Sequence, residues 1–170
     1  MAVLSFRPLA AIVACALATA CASTPSYTEA AIKASDEGDQ KAAIGFAKKE
    51  VERFSTPDEC SRRTTKNCGT LALAYSSLAG YQILAGDKVA GERSFGSAKE
   101  ALALTDRDNQ SSAAGIIYRD VSEAFWKTGD KKRAIAVFNE GREAGADSYL
   151  YMCSAAKATG HESPASPGRS

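Results

Sequence analysis

Three copies of one short phrase constrain this 170-residue chain more than any other feature: GDQKAA from Gly38, GDKVAG from Gly86 and GDKKRA from Gly129. Each phrase ends on a small residue, Ala43, Gly91 or Ala134. Four positions later stand Ala47, Phe95 and Phe138, and three further on stand Glu50, Ala98 and Gly141. Glycine readily takes the left-handed conformation that ends a helix, and the following aspartate can accept hydrogen bonds from the exposed amides that start the next one. Each phrase therefore reads as the corner of a helical hairpin. The small residue lets the two helices approach closely, and the aromatic side chain one turn on fills the space beside the next hairpin. A lone hairpin cannot bury its own apolar faces, so the units must stack.

The matching first helices lie upstream. In the third unit Tyr118, Val121, Ser122 and Phe125 recur at three- and four-residue spacing, which gives one apolar face. Tyr75, Leu78, Ala79 and Gln82 hold the same places in the second unit, and Ala31 and Ala34 in the first. The first unit is the weakest copy, with Ala47 for the aromatic and Glu50 for the small residue. Alternating strand patterns are scarce and alanine is abundant, so the expected class is all-α.

From Tyr118 to Ala144, a stretch that includes AFWKTGDKKRAIAVFNEGREA, the chain resembles the tetratricopeptide repeat family. The likeness covers most of residues 27 to 144. It departs from the family pattern in having no closing proline and in spacing its Gly-Asp corners 48 and 43 residues apart, against about 34 in the motif. The resemblance implies a short α-solenoid of about three hairpins plus a capping helix over residues 27–160. It also implies a concave groove, lined by the first helices, that receives a peptide or helix of another protein. The family's groove positions fall on Leu73, Ser76, Gly80, Ile83 and Leu84 in the second unit. In the third they fall on Ile116, Arg119, Glu123, Trp126 and Lys127. Trp and Arg often carry interface energy. Trp126 and Ile83 are equally suited to packing between helices, and Arg119 and Glu123, four apart, to pairing on one helix face.

Extra length between the units is expected in two polar loops, Ser55 to Cys68 and Thr105 to Ser112. Thr56-Pro57-Asp58-Glu59 looks like a capping box able to nucleate one turn. Beyond Gly145, Asp147 is expected to cap a last helix running through Lys157, with Tyr149, Leu150 and Met152 sealing the open end of the stack. His161 to Ser170, with two prolines and no apolar cluster, reads as a disordered tail.

The N-terminus carries Arg7, then an apolar run from Leu9 to Leu17, then Ala18-Thr19-Ala20 ahead of Cys21. This is the charged, apolar, cleavable order of a signal peptide over residues 1–20, too short in its apolar part to cross a bilayer. LATAC resembles a lipobox, although it has Ala18 where such boxes usually have Leu. Lipidation at Cys21 is the expectation, with residues 21–26 as a small, polar tether. Ala18-x-Ala20 also suits an ordinary signal peptidase, which would release a soluble protein. By resemblance to enterobacterial lipoproteins, the absence of Asp after Cys21 favours the periplasmic face of the outer membrane. Diacylation anchors stably, because each buried methylene contributes about 0.8 kcal/mol.

Export places the remaining cysteines in an oxidising compartment, where Cys60 and Cys68 form a natural disulfide across a polar loop. Cys153 is left as a buried small hydrophobe or as a competitor for one of the other two. Without Arg7, 20 basic side chains balance 20 acidic ones, which argues against nucleic acid as a partner. The one histidine, His161, falls in the expected tail, and no nucleophile, metal or phosphate motif occurs. The sequence thus reads as a membrane-anchored interaction module for an envelope protein, without metal or cofactor. A small envelope enzyme or its noncatalytic subunit, and a self-associating structural lipoprotein, are the alternatives.

Overall fold

The computed structural model describes residues 26–161. The expected signal segment, Cys21, the tether short of Ser26 and the tail beyond His161 lie outside the described residues. Among those described, every regular element is helical and no helix is long and apolar enough to cross a membrane. Three antiparallel hairpins follow one another: α1 (Tyr27–Asp36) with α2 (Gln40–Phe54), α3 (Cys68–Leu84) with α4 (Lys88–Ala103), and α5 (Arg107–Lys127) with α6 (Lys131–Glu143). A 3-10 turn (Ser148–Met152) and α7 (Ser154–Ala158) close the far end.

The repeated phrase does the structural task its chemistry suggests. Gly38, Gly86 and Gly129 have φ of 84°, 89° and 84°. The amide after each returns to a carbonyl of the helix just ended, Asp39 to Ala34, Asp87 to Gln82 and Asp130 to Phe125, at 2.8 to 2.9 Å. The aspartate side chains then accept from Ala42, Ala90 and Arg133 amides at the start of the next helix. Ala43 and Ala134 are fully buried. A Cβ on Gly91 would stand 2.5 Å from Ile83 Cγ1, so the second hairpin closes only with glycine there.

Phe95 and Phe138 are fully buried and do different jobs. Phe95 meets Tyr118 of the third hairpin edge-on, with centroids 5.4 Å apart, and Phe138 meets Tyr151 of the cap at 5.8 Å. The first-helix faces are buried as expected in α5, where Tyr118, Val121, Ser122 and Phe125 all enter the core and Ser122 donates to Ala134 O at 2.9 Å. In α3, Leu78 and Ala79 are buried, while Gln82 accepts from Ser94 Oγ.

Five expectations change. Ser26 is not tether but the N-cap of α1, exchanging side-chain and backbone hydrogen bonds with Glu29. Thr105 to Ser112 is not a loop: Asp106 accepts from the Asn109 amide and launches α5 there, and Ser111 and Ser112 of that first stretch bond to Gly145 O and Asp147 Oδ2. The 43-residue spacing between the second and third corners is thus absorbed by a longer helix. Asp147 caps as expected, but through the Tyr149 amide of a 3-10 turn, and extended backbone at Cys153 separates that turn from the short α7. Leu150 seals the end, whereas Tyr149 and Met152 stay 45% and 65% exposed. His161 belongs to the ordered end, its amide donating to Ala156 O and its ring lying 5.9 Å from Phe138.

The first polar loop is a loop. Its turn is closed by Thr56 O, which accepts from the Glu59 and Cys60 amides. Cys60 and Cys68 are joined by a disulfide, which pins the loop to the first residue of α3. Cys153 is a free, buried thiol near Ser122 Oγ.

Candidate binding groove on the first helices

The first helices share a face, and two cavities open on it. One, of about 200 Å³, lies between α3 and α5 and is lined by Ser76, Ser77, Gly80, Tyr81, Leu84, Asp120, Glu123, Ala124 and Lys127. The other, of about 180 Å³, lies where α1 and α2 meet α3, and its walls include Thr28, Ala31, Ala47, Glu50, Leu73 and Ala74. Ser77 and Tyr81 belong to both, so the two form one depression running across three hairpins.

Its electrostatics are mixed. Asp120 sits in the α3–α5 crevice, where burial pushes its carboxyl above the usual range against the pull of Arg119, whose guanidinium lies 2.7 Å away. Burial likewise raises the Tyr81 phenol, helped by the charges of Asp36 and Asp120. Tyr81 therefore remains a neutral donor at the seam of the two cavities.

Of the expected groove residues, Leu73, Ser76, Gly80, Leu84, Glu123 and Lys127 line one cavity or the other. Ile83 does not: it is fully buried under Gly91 and belongs to the core of its own hairpin. Ser76 is buried and its hydroxyl donates to Ile117 O, tying α3 to α5. Ile116, Arg119 and Trp126 stand outside both linings. Trp126 is partly buried against the core with Lys131 Nζ 5.2 Å from its ring centre. Arg119 pairs with Asp120 rather than with Glu123. Glu123 instead accepts from the Ser154 amide and hydroxyl at 2.9 and 3.1 Å, so it caps α7 from α5 while one edge faces the groove.

Comparison with protein-family models, with characterised proteins and with solved structures returned no match. The site must be read from its own geometry.

Ser77, Tyr81, Asp120 and Glu50 are groove residues that the family register passed over. The open stripe on α5 is Asp120, Glu123, Ala124 and Lys127, which keeps Glu123 and Lys127 of the expected set and has Asp120 where Arg119 was expected. One residue is about 100° of helix rotation, enough to exchange a wall residue for a core residue, as happens at Ile83.

The opposite, second-helix face is built differently. Arg133 donates from Nε and Nη2 to both oxygens of Glu92, at 2.5 and 2.9 Å, and from Nη1 to Glu140 at 2.6 Å. Lys99 reaches Glu140 at 3.4 Å and Lys88 reaches Asp130 at 2.8 Å. These pairs tie α4 to the third hairpin. Partial burial disfavours the Glu140 charge, but the Arg133 hydrogen bond and charge outweigh it and hold the carboxyl below its usual range.

Proposed function

We propose that this chain is an interaction module of the cell envelope, held at the membrane through a lipidated Cys21 and binding a segment of another envelope protein along its first-helix groove. The observation that carries the reading is the contrast between faces. On the first-helix side two cavities join into a depression with Leu73, Leu84 and Tyr81 as apolar surface and Asp120 and Lys127 as charges. On the second-helix side the ridge is occupied by paired ions, and the space beside Asn139, Arg142 and Glu143 has no apolar residue in its wall. Elongated concavities with an apolar floor and a few polar groups suit an extended or helical peptide. The tetratricopeptide-like pattern of corners and aromatics supports the same use of the same helices. The short, polar stretch from Cys21 to the Ser26 cap would keep that groove close to the bilayer.

Photo-crosslinking in living cells tests this. A crosslinker at position 84 or 127, in the groove, is expected to give a discrete adduct with another envelope protein, while one at position 93 or 100, exposed on the second helix α4, gives none. Equal adducts from both faces, or from neither, would refute the groove. Adducts containing only this chain would make it a self-associating protein instead. Mass analysis of the mature N-terminus, expected to show an acylated Cys21, tests the anchor separately.

A further inference from the structure

Glu50 puts an acidic side chain at a buried position that the other repeats keep small. The matching residues are Ala98 and Gly141, both buried and small. Glu50 is only 9% exposed. Its Oε1 accepts from Thr28 Oγ1 at 3.2 Å. Its Oε2 is buried with no hydrogen-bond partner, singled out in this among side-chain oxygens and nitrogens of the described residues. An unpaired buried carboxylate oxygen is costly, and Glu50 forms part of the wall of a cavity that no lysine or arginine lines.

The cavity has the complementary shape. Where the second and third units place Phe95 and Phe138, the first has Ala47, and Ala47 forms part of the wall of the space between α1, α2 and α3. About 180 Å³ is well below the roughly 300–1,000 Å³ of pockets for drug-sized ligands, and it matches one long side chain. The walls combine Ala31, Ala47, Leu73 and Ala74 with the hydroxyl-bearing Thr70, Ser77 and Tyr81 and the acidic Glu50.

We infer that this cavity is a subsite for a lysine side chain of the bound protein, its aliphatic stem against Leu73 and the alanines and its ammonium paired with the Glu50 carboxylate, whose buried Oε2 turns out to meet it. The inference rests on the groove reading and names one residue its partner must present. A compact ammonium with three donors fits one free carboxylate oxygen flanked by hydroxyls better than the planar fork of arginine, which calls for paired acceptors.

The test uses the purified full-length chain, labelled with ¹⁵N, titrated with Nα-acetyl-lysine methylamide and with the norleucine analogue, which keeps the stem and lacks the charge. The lysine probe is expected to give saturable shifts confined to amides around Glu50, Leu73 and Ser77, with the norleucine probe at least tenfold weaker. Glu50→Gln should weaken the lysine probe at least tenfold with spectral dispersion intact. Thr70→Leu, at an exposed position on the rim, should block it with Glu50 untouched. Equal binding of the two probes, non-saturating shifts, or unchanged binding in E50Q would overturn the inference. Crosslinking from position 127 reads the groove at the other cavity, so adducts that persist while the lysine probe fails would sink the subsite and leave the groove reading standing.

Discussion

The junction between the second and third hairpins and the junction between the first and second are built from the same repeat, and a cavity opens on each. Only the former has its repeat ring in place, which makes it the filled junction and the other the open one. At the filled junction Phe95 lies edge-on to Tyr118, Ser76 bonds across to Ile117 O, and Arg133 clamps Glu92 on the outer side. At the open junction Ala47 replaces the ring, Glu50 replaces the small residue, and α2 rather than α1 packs on α3. The corners are equivalent in both. Backbone turns therefore set the hairpins, while two side-chain positions decide whether neighbouring hairpins close on each other.

The largest way to break the comparison is to open the closed junction. Phe95→Ala should destabilise the domain by about 3–5 kcal/mol, through lost transfer energy and a residual cavity. Denaturant unfolding followed by circular dichroism measures it. A loss under about 1 kcal/mol would mean that the ring is not what holds the second and third hairpins together. Glu50→Ala should do the reverse at the open junction, raising stability by about 1 kcal/mol because it removes a buried unsatisfied oxygen. Destabilisation of that size would show Glu50 to be a structural group rather than one kept for a ligand. Arg133→Gln should cost about 1 kcal/mol at low salt, since a bidentate pair is stronger than a simple surface contact, and less in 1 M salt, where the Debye length falls to about 3 Å.

The smallest effects are in pH and have opposite signs on the two faces. Glu140 has a lowered folded pKa, so its contribution is present above its unfolded value and is lost as pH falls through the folded one. Asp120 has a raised folded pKa, so its contribution is complete below the unfolded value and is lost as pH rises through the folded one. Melting profiles of Glu140→Gln should therefore be flatter than wild type on the acid side of that window, and those of Asp120→Asn should lose the decline seen as pH rises through it. Identical profiles in both variants would remove the distinction between the faces.

Much of this architecture is legible in the sequence, because it depends on local chemistry. Gly-Asp corners, small residues at close approaches and the aromatic positions act within a few residues of themselves. Ser26-x-x-Glu29 is a capping box plainly written, although its polar surroundings look like tether. The start of α5 is less plain: Asp106 is a helix cap, but the polar residues after it resemble a loop until their contacts with Gly145 and Asp147 are known. The groove is harder still. Because α3 is apolar on nearly every side, no stripe marks its open face, and Ile83 and Tyr81 are distinguished only by where Gly91 and α5 sit. The weak match of the first unit, with Ala47 and Glu50 in place of an aromatic and a small residue, was visible from the outset. That these two departures share one cavity follows only from the packing.

The unfolding free energy of Ala47→Phe tests most directly whether the open junction is a vacated aromatic position. With the ring restored, the chain should gain about 1 kcal/mol, as apolar surface is buried without displacing a neighbour. A loss of stability would show that the space beside Glu50 is not the place of the missing ring, and would contradict the account of how one repeat gives both a closed junction and an open one.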